Sequence, residues 1–185
     1  MKPLFIHIPK CAGISVKEFL NKSYQVPIID GHYTCSQMKA KAKFINYEYD
    51  HIFTVVRNPY SKLVSTYLFL QQKSKEYIHM YRKTDLNAVF KHFTFSQFVN
   101  FFLKENCLNY HYMNTYMFLP QKTWLDTKDE IKIFNFESLN ELGFDLPFYN
   151  RNDNEKDWQS YYTDDLKETV YTFYEEDFKK FEYIK

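Results

Sequence analysis

Two short stretches of the chain combine the residue types best suited to gripping an anion, and each follows an apolar run. The first, Phe5–Val16, reads FIHIPKCAGISV. A β-branched segment stops at Pro9-Lys10, passes through Cys11-Ala12-Gly13 and enters a helical pattern. A turn of this kind presents first-turn N–H groups and the positive end of a helix dipole to whatever lies above it. Lys10 adds a full charge, and the Ser15 hydroxyl adds a donor. The second stretch, Val55–Tyr67, reads VVRNPYSKLVSTY. Arg57 leaves a strand, and Ser65 falls about two turns into the next helix, so a fork-shaped guanidinium and a hydroxyl can hold one phosphate. Each stretch has a plainer reading: a turn with a solvated lysine, or a surface arginine with a helix-face serine. Taken together, two anion grips on neighbouring strand ends suit a nucleotide with two separate phosphate groups.

The order of residues in the first loop matters. The generic phosphate loop ends in Gly-Lys-Ser/Thr, whereas here Lys10 comes three residues before Gly13. No acidic strand end stands ready for Mg²⁺, so metal is not expected. Glycine is also scarce, at three in 185 residues, where average usage gives about a dozen. Gly13 is therefore expected where the backbone needs positive φ or a very close approach.

The second scarce glycine, Gly31, directly precedes His32 in IIDGHYTC. An imidazole with an ordinary pKa of about 6.5 can take a hydroxyl proton near neutral pH. Asp30 either orients that ring or caps the turn. Glu18, on the first predicted helix, is the alternative base, and a turn histidine without a role is the plainer reading. His7 lies within an apolar strand and reads as structural. Lys39, Lys41 and Lys43 read as a solvated helix face, and Arg151 carries no assignment.

These residues need a scaffold that brings strand ends together. Strands are predicted at Leu4–Ile8, Gln25–Ile29, His51–Val56 and Glu130–Glu137. Helices are predicted at Ser15–Asn21, Ser36–Phe44, Tyr60–Gln72, Phe95–Lys104 and Asn109–Phe118. Asn58-Pro59 reads as an N-cap followed by proline at the first helical position. A last amphipathic helix carries apolar residues at Leu166, Val170, Phe173, Tyr174, Phe178 and Phe181, with Thr163 as N-cap. Alternating strands and helices predict an α/β fold, a P-loop-like three-layer sandwich whose central, mostly parallel sheet is flanked by helices. Ligands bind beyond the carboxyl ends of such strands, where both anion grips fall. One domain spanning 1–185 is expected, with Lys73–Phe93 as a variable insertion.

Bulk composition narrows the classes. Hydrophobic residues make up 45% of the chain and aromatics 21%, which excludes a disordered protein. The net charge of +1 gives no global attraction to nucleic acid or membrane. No apolar run approaches the roughly 18 residues of a membrane span. Cys11, Cys35 and Cys107 form no C-x-x-C pair and read as reduced thiols, so a cytoplasmic location is expected.

HIPKCAGISV resembles the 5′-phosphosulfate loop of the carbohydrate-type (family 2) sulfotransferases. VVRNPYSKLVSTY resembles their 3′-phosphate motif, including the eight-residue step from arginine to serine. LPQ at Leu119–Gln121, IFNFESL at Ile133–Leu139 and the segment Tyr161–Tyr183 are similar to later landmarks of that family. The resemblance implies transfer of a sulfuryl group from 3′-phosphoadenosine 5′-phosphosulfate (PAPS) to an acceptor, a glycan or small hydroxyl compound. It implies Lys10 at the bridging oxygen between sulfate and phosphate. The N–H groups of Cys11, Ala12, Gly13, Ile14 and Ser15 would hold the 5′-phosphate, together with the Ser15 hydroxyl. Arg57 and Ser65 would hold the 3′-phosphate, and His32 would be the base. Where many relatives carry threonine this chain has Ile14, which removes one hydroxyl contact. A P-loop nucleotide kinase and a non-catalytic nucleotide-binding module are the alternatives.

Overall fold

The computed structural model describes residues 2–27, 29, 31–76, 92–104, 115–142 and 153–185. Asp30, Cys107, Arg151 and most of segments 73–93 and 109–118 lie outside the described residues. The chain divides into two compact units, one of Met1–Asn58 with Pro120–Arg151, the other of Pro59–Leu119 with Asn152–Lys185.

The first unit carries the sheet. Strands β1 (Pro3–Ile6), β2 (His51–Val56) and β3 (Ile131–Asn135) lie in the order β1-β2-β3, and both pairings are parallel. The register sets Phe5 beside Phe53 and Thr54 beside Ile133. Leu4, Ile6, Val55 and Val56 are almost wholly excluded from water, as expected for a parallel sheet's continuous apolar runs. The one polar residue in the middle of β2, Thr54, is satisfied by donating its hydroxyl proton to the Ile6 carbonyl at 2.9 Å. Because all three strands run the same way, their carboxyl ends share one edge.

Helices α1 (Gly13–Tyr24) and α2 (Cys35–Phe44) belong to the same unit. α2 opens on a capping box: the Thr34 hydroxyl accepts from Gln37 N–H, and the Gln37 side chain accepts from Thr34 N–H. Asp126 fixes that end further, accepting from the Thr34 hydroxyl at 2.7 Å and from Ser36 N–H at 2.8 Å. The lysine face lies at the surface and carries contacts of its own. Lys39 pairs with Asp129, and Lys41 lies 4.2 Å from the Tyr33 ring centroid.

The strand expected at Gln25–Ile29 is not formed by its described residues. Gln25 instead closes α1 in the left-handed region, at φ 53°, with its N–H on the Asn21 and Leu20 carbonyls. Pro27 follows, and it has no N–H to give to a ladder. The sheet accordingly has three strands among the described residues, not four.

The second unit is helical and aromatic. It holds α3 (Pro59–Glu76), α4 (Phe95–Val99, continuing as a π turn over Asn100–Lys104) and α5 (Asp164–Lys180). Its core joins Tyr60, Leu63, Val64, Phe98, Phe102, Phe118, Val170 and Phe178. Phe102 and Phe118 stack at 3.9 Å with an interplanar angle of 13°. Buried polar ends find partners within the unit: Lys62 donates to the Met117 carbonyl at 2.8 Å, and the Tyr174 hydroxyl donates to the Phe118 carbonyl at 2.7 Å. The chain is thus α/β, a parallel sheet combined with helices. Among the described residues no helix is long and apolar enough to cross a membrane.

Candidate phosphate-loop and acid–base site

At the shared edge of the sheet, β1 releases the chain into the loop 7–12. Lys10 and Ala12 both adopt the left-handed conformation, at φ 64° and 57°. For residues with a Cβ this costs roughly 1–2 kcal/mol each. Such alternation turns backbone N–H groups toward one side and forms an anion-binding concavity. α1 starts immediately after, on an N-cap, Ala12, that provides no side-chain hydrogen bond. Its first turn contains no acidic residue. The first intrahelical bond runs from Val16 N–H to the Ala12 carbonyl at 3.0 Å, so Gly13, Ile14 and Ser15 supply the first-turn donors. Ser15 is buried and Ile14 points outward, 46% exposed.

Gly13 itself has no unusual φ. A Cβ built on it would stand 1.7 Å from His7 Cδ2 and 1.9 Å from His7 Nε2. The glycine is required by close approach, and what approaches is the ring of His7. Gly31 is required for a different reason: its φ is 107°, and a Cβ there would also crowd the Tyr33 ring at 2.9 Å.

The two histidines form one assembly. Their ring centroids are 4.2 Å apart, and Trp124 meets His32 edge-on at 6.1 Å. His32 Nδ1 lies 3.2 Å from the His7 carbonyl oxygen. In a neutral ring Nδ1 therefore carries the proton and donates, leaving Nε2 with the basic lone pair. Burial lowers the pKa of His32; the His7 carbonyl works in the opposite sense, and Lys17 and Lys10 lower it further. His7 is pushed down to about 2, by burial first and then by His32, Lys17 and Lys10. Its Nδ1 is buried with no hydrogen-bond partner among the described residues. Glu18 pairs with Lys22 at 3.9 Å on the outer part of α1.

Arg57, the first residue past β2, is buried at 5% exposure. Its Nη1 donates to the Lys10 carbonyl at 3.3 Å, and its guanidinium carbon sits 4.2 Å from the centroid of the Phe136 ring. Asn58 N–H donates to Glu137 Oε1 at 2.8 Å. The ends of β1, β2 and β3 thus meet through Lys10, Arg57 and Phe136. Ser65 belongs to the other unit, where it is buried on α3.

A residue to which sequence reasoning gave no role stands behind this edge. Gln121 is fully buried. Its Oε1 accepts from Arg57 N–H at 2.9 Å and from the Cys11 thiol at 3.3 Å, and its Nε2 donates to the Arg57 carbonyl at 2.8 Å. The available signal was LPQ, a polar residue set among apolar ones, but its partners are 64 and 110 residues away in sequence.

A family model described as "Sulfotransferase family" matches residues 2–142. The chain belongs to the sulfotransferase family. No curated protein and no solved structure gives a significant match. The match covers the loop 7–12, His32, Arg57 and Gln121, and ends before α5. A sulfotransferase moves a sulfuryl group to an acceptor, and in this chain the start of α1 and the His7–His32 pair lie in the same unit. In this sulfotransferase the strand ends are tied by the Lys10 carbonyl, the Gln121 amide and the Glu137 carboxylate.

Proposed function

We propose that this chain transfers a sulfuryl group from PAPS to an acceptor hydroxyl of the carbohydrate class, without metal, within one catalytic domain. The observation that carries the reading is the start of α1, where two left-handed residues lead into a helix whose N-cap gives no side-chain hydrogen bond and whose first turn holds no acidic residue. That composition fits a phosphate better than it fits a cation. The donor brings an activated sulfuryl group, and the bond that breaks joins its sulfur to the 5′-phosphate oxygen. The N–H groups of Cys11, Ala12, Gly13, Ile14 and Ser15, with the Ser15 hydroxyl, hold the 5′-phosphate. Lys10 stabilises the charge that gathers on the leaving oxygen. His32 Nε2 accepts the proton of the attacking hydroxyl. Arg57 and Ser65 are assigned to the 3′-phosphate. Cys11 and Cys35 are unbridged thiols, as suits the cytoplasmic location we assign.

The test is turnover of labelled PAPS over a panel of glycan and small hydroxyl acceptors. His32→Ala is expected to lower turnover by roughly 10²–10⁴-fold with nearly intact donor affinity. Because burial lowers the His32 pKa, the acid limb of the wild-type rate profile is expected to have its midpoint below about 6.5. Normal turnover in His32→Ala would remove it as the base and leave Glu18. Stabilisation by ATP with Mg²⁺ but not by adenosine 3′,5′-bisphosphate would favour a nucleotide kinase. Bisphosphate binding with no transfer to any acceptor would favour a non-catalytic module.

A further inference from the structure

Three hydrogen bonds of Gln121 end on residues of the proposed donor site. The β2–β3 register ends with Val56 beside Asn135, one position before Arg57. At Arg57 the Gln121 amide pairs with the main chain in both directions, at 2.9 and 2.8 Å, as a neighbouring strand would. Its oxygen also receives the Cys11 thiol at 3.3 Å, so both lone pairs of Oε1 are used. The arginine in turn reaches back to the Lys10 carbonyl at 3.3 Å. The loop is therefore tied twice to one point, at Cys11 through Gln121 and at Lys10 through Arg57.

An amide buried to 0% exposure is costly unless its groups are paired. Here the pairing is spent on fixing where the Arg57 backbone stands relative to the phosphate loop. Apolar packing could fill the same volume, but it would leave the arginine's register to the end of a strand.

We infer that Gln121 is a positioning residue for the nucleotide, holding Arg57 in register with the loop 7–12 so that one ligand meets both. This rests on the reading of Arg57 as the 3′-phosphate contact. It assigns Gln121 the ligand's selectivity for a 3′-phosphate, which no group on Gln121 itself touches.

The experiment compares the affinities of adenosine 3′,5′-bisphosphate and adenosine 5′-monophosphate by calorimetry on the full chain. The unsubstituted protein is expected to prefer the bisphosphate by about tenfold or more, the share of a charge-assisted contact. Gln121→Glu keeps acceptors for Arg57 N–H and the Cys11 thiol but turns a second oxygen toward the Arg57 carbonyl. It is expected to cut the preference to within about threefold of unity, with a smaller loss for the monophosphate. Added to Arg57→Ala, the same substitution should change the preference no further. Cys11→Ala removes the thiol that reaches Gln121 Oε1 and the Pro9 carbonyl and is expected to weaken both nucleotides alike, which keeps the inference testable should Gln121→Glu not fold. A folded Gln121→Glu with the full preference, or a Cys11→Ala protein with unchanged affinity for both, overturns the inference alone. No preference in the unsubstituted protein would instead overturn the assignment of Arg57, and the inference with it.

Discussion

Gly13 and Ala12 have exchanged the roles their identities suggest. The glycine sits at an ordinary φ, while the alanine before it and Lys10 take the left-handed conformation. What Gly13 provides is room for His7, whose ring lies where a Cβ would be. Sequence reading could state that a rare glycine meant either positive φ or close approach. It could not choose between them, because the approaching atom comes from the preceding strand end rather than from a ligand. The expected consequence is an asymmetry between two small substitutions. Gly13→Ala must displace a half-buried ring that also packs against His32 and is expected to cost about 1–3 kcal/mol, in the range of overpacking. Ala12→Gly relieves left-handed strain of about 1 kcal/mol against a comparable gain in unfolded-chain entropy, so stability should change by less than about 1 kcal/mol. Urea unfolding of both variants checks this. Equal losses would mean that His7 moves aside without cost and that the glycine is not required by it.

At the scale of elements, legibility tracked how local the cause was. β2 was readable residue for residue, because HIFTVV is β-branched, apolar and closed by an arginine and a proline-led helix. α5 was equally plain: its periodic apolar face, Thr163 cap, acidic first turn and basic last turn all agree. The segment Gln25–Ile29 was not, since its apolar letters match a strand while the chain uses Gln25 to close α1 and Pro27 to leave it. Gln121 was illegible for the opposite reason. Nothing near it in sequence needs a buried amide; the need arises at Arg57 and Cys11. The cap on α5 offers a clean measurement of a local cause. Thr163 accepts from Leu166 N–H at 3.4 Å, and Thr163→Ala is expected to destabilise by about 1 kcal/mol. A change below about 0.3 kcal/mol in denaturant unfolding would show that Asp164 and Asp165 hold the helix start without it.

For the molecule as a whole, the half-buried histidine pair writes its presence into the pH dependence of folding. His7 is held neutral by burial and by the nearby charges of His32, Lys17 and Lys10, so its pKa falls to about 2 in the folded chain against about 6.5 unfolded. Above pH 6.5 both states leave it unprotonated and it contributes no slope. As the pH falls below 6.5 the unfolded chain takes a proton that the folded chain refuses, so stability declines with acidity. The decline approaches about 1.4 kcal/mol per pH unit and continues down toward the folded pKa. His32, lowered in the same sense, adds a loss that begins at the same upper limit and ends sooner. The window from pH 6.5 to 5 is the useful one, because ordinary carboxylates remain largely ionised there. Over that range His7 alone is expected to remove roughly 2 kcal/mol or less. His7→Phe keeps a ring against Gly13 and His32, and discards a buried nitrogen that has no hydrogen-bond partner among the described residues. Its loss of stability over the window should be smaller by about that amount, with the plateau above pH 7 little changed. Parallel curves for the two proteins in denaturant titrations would mean that His7 protonates in the folded state, and that the pair is open to water.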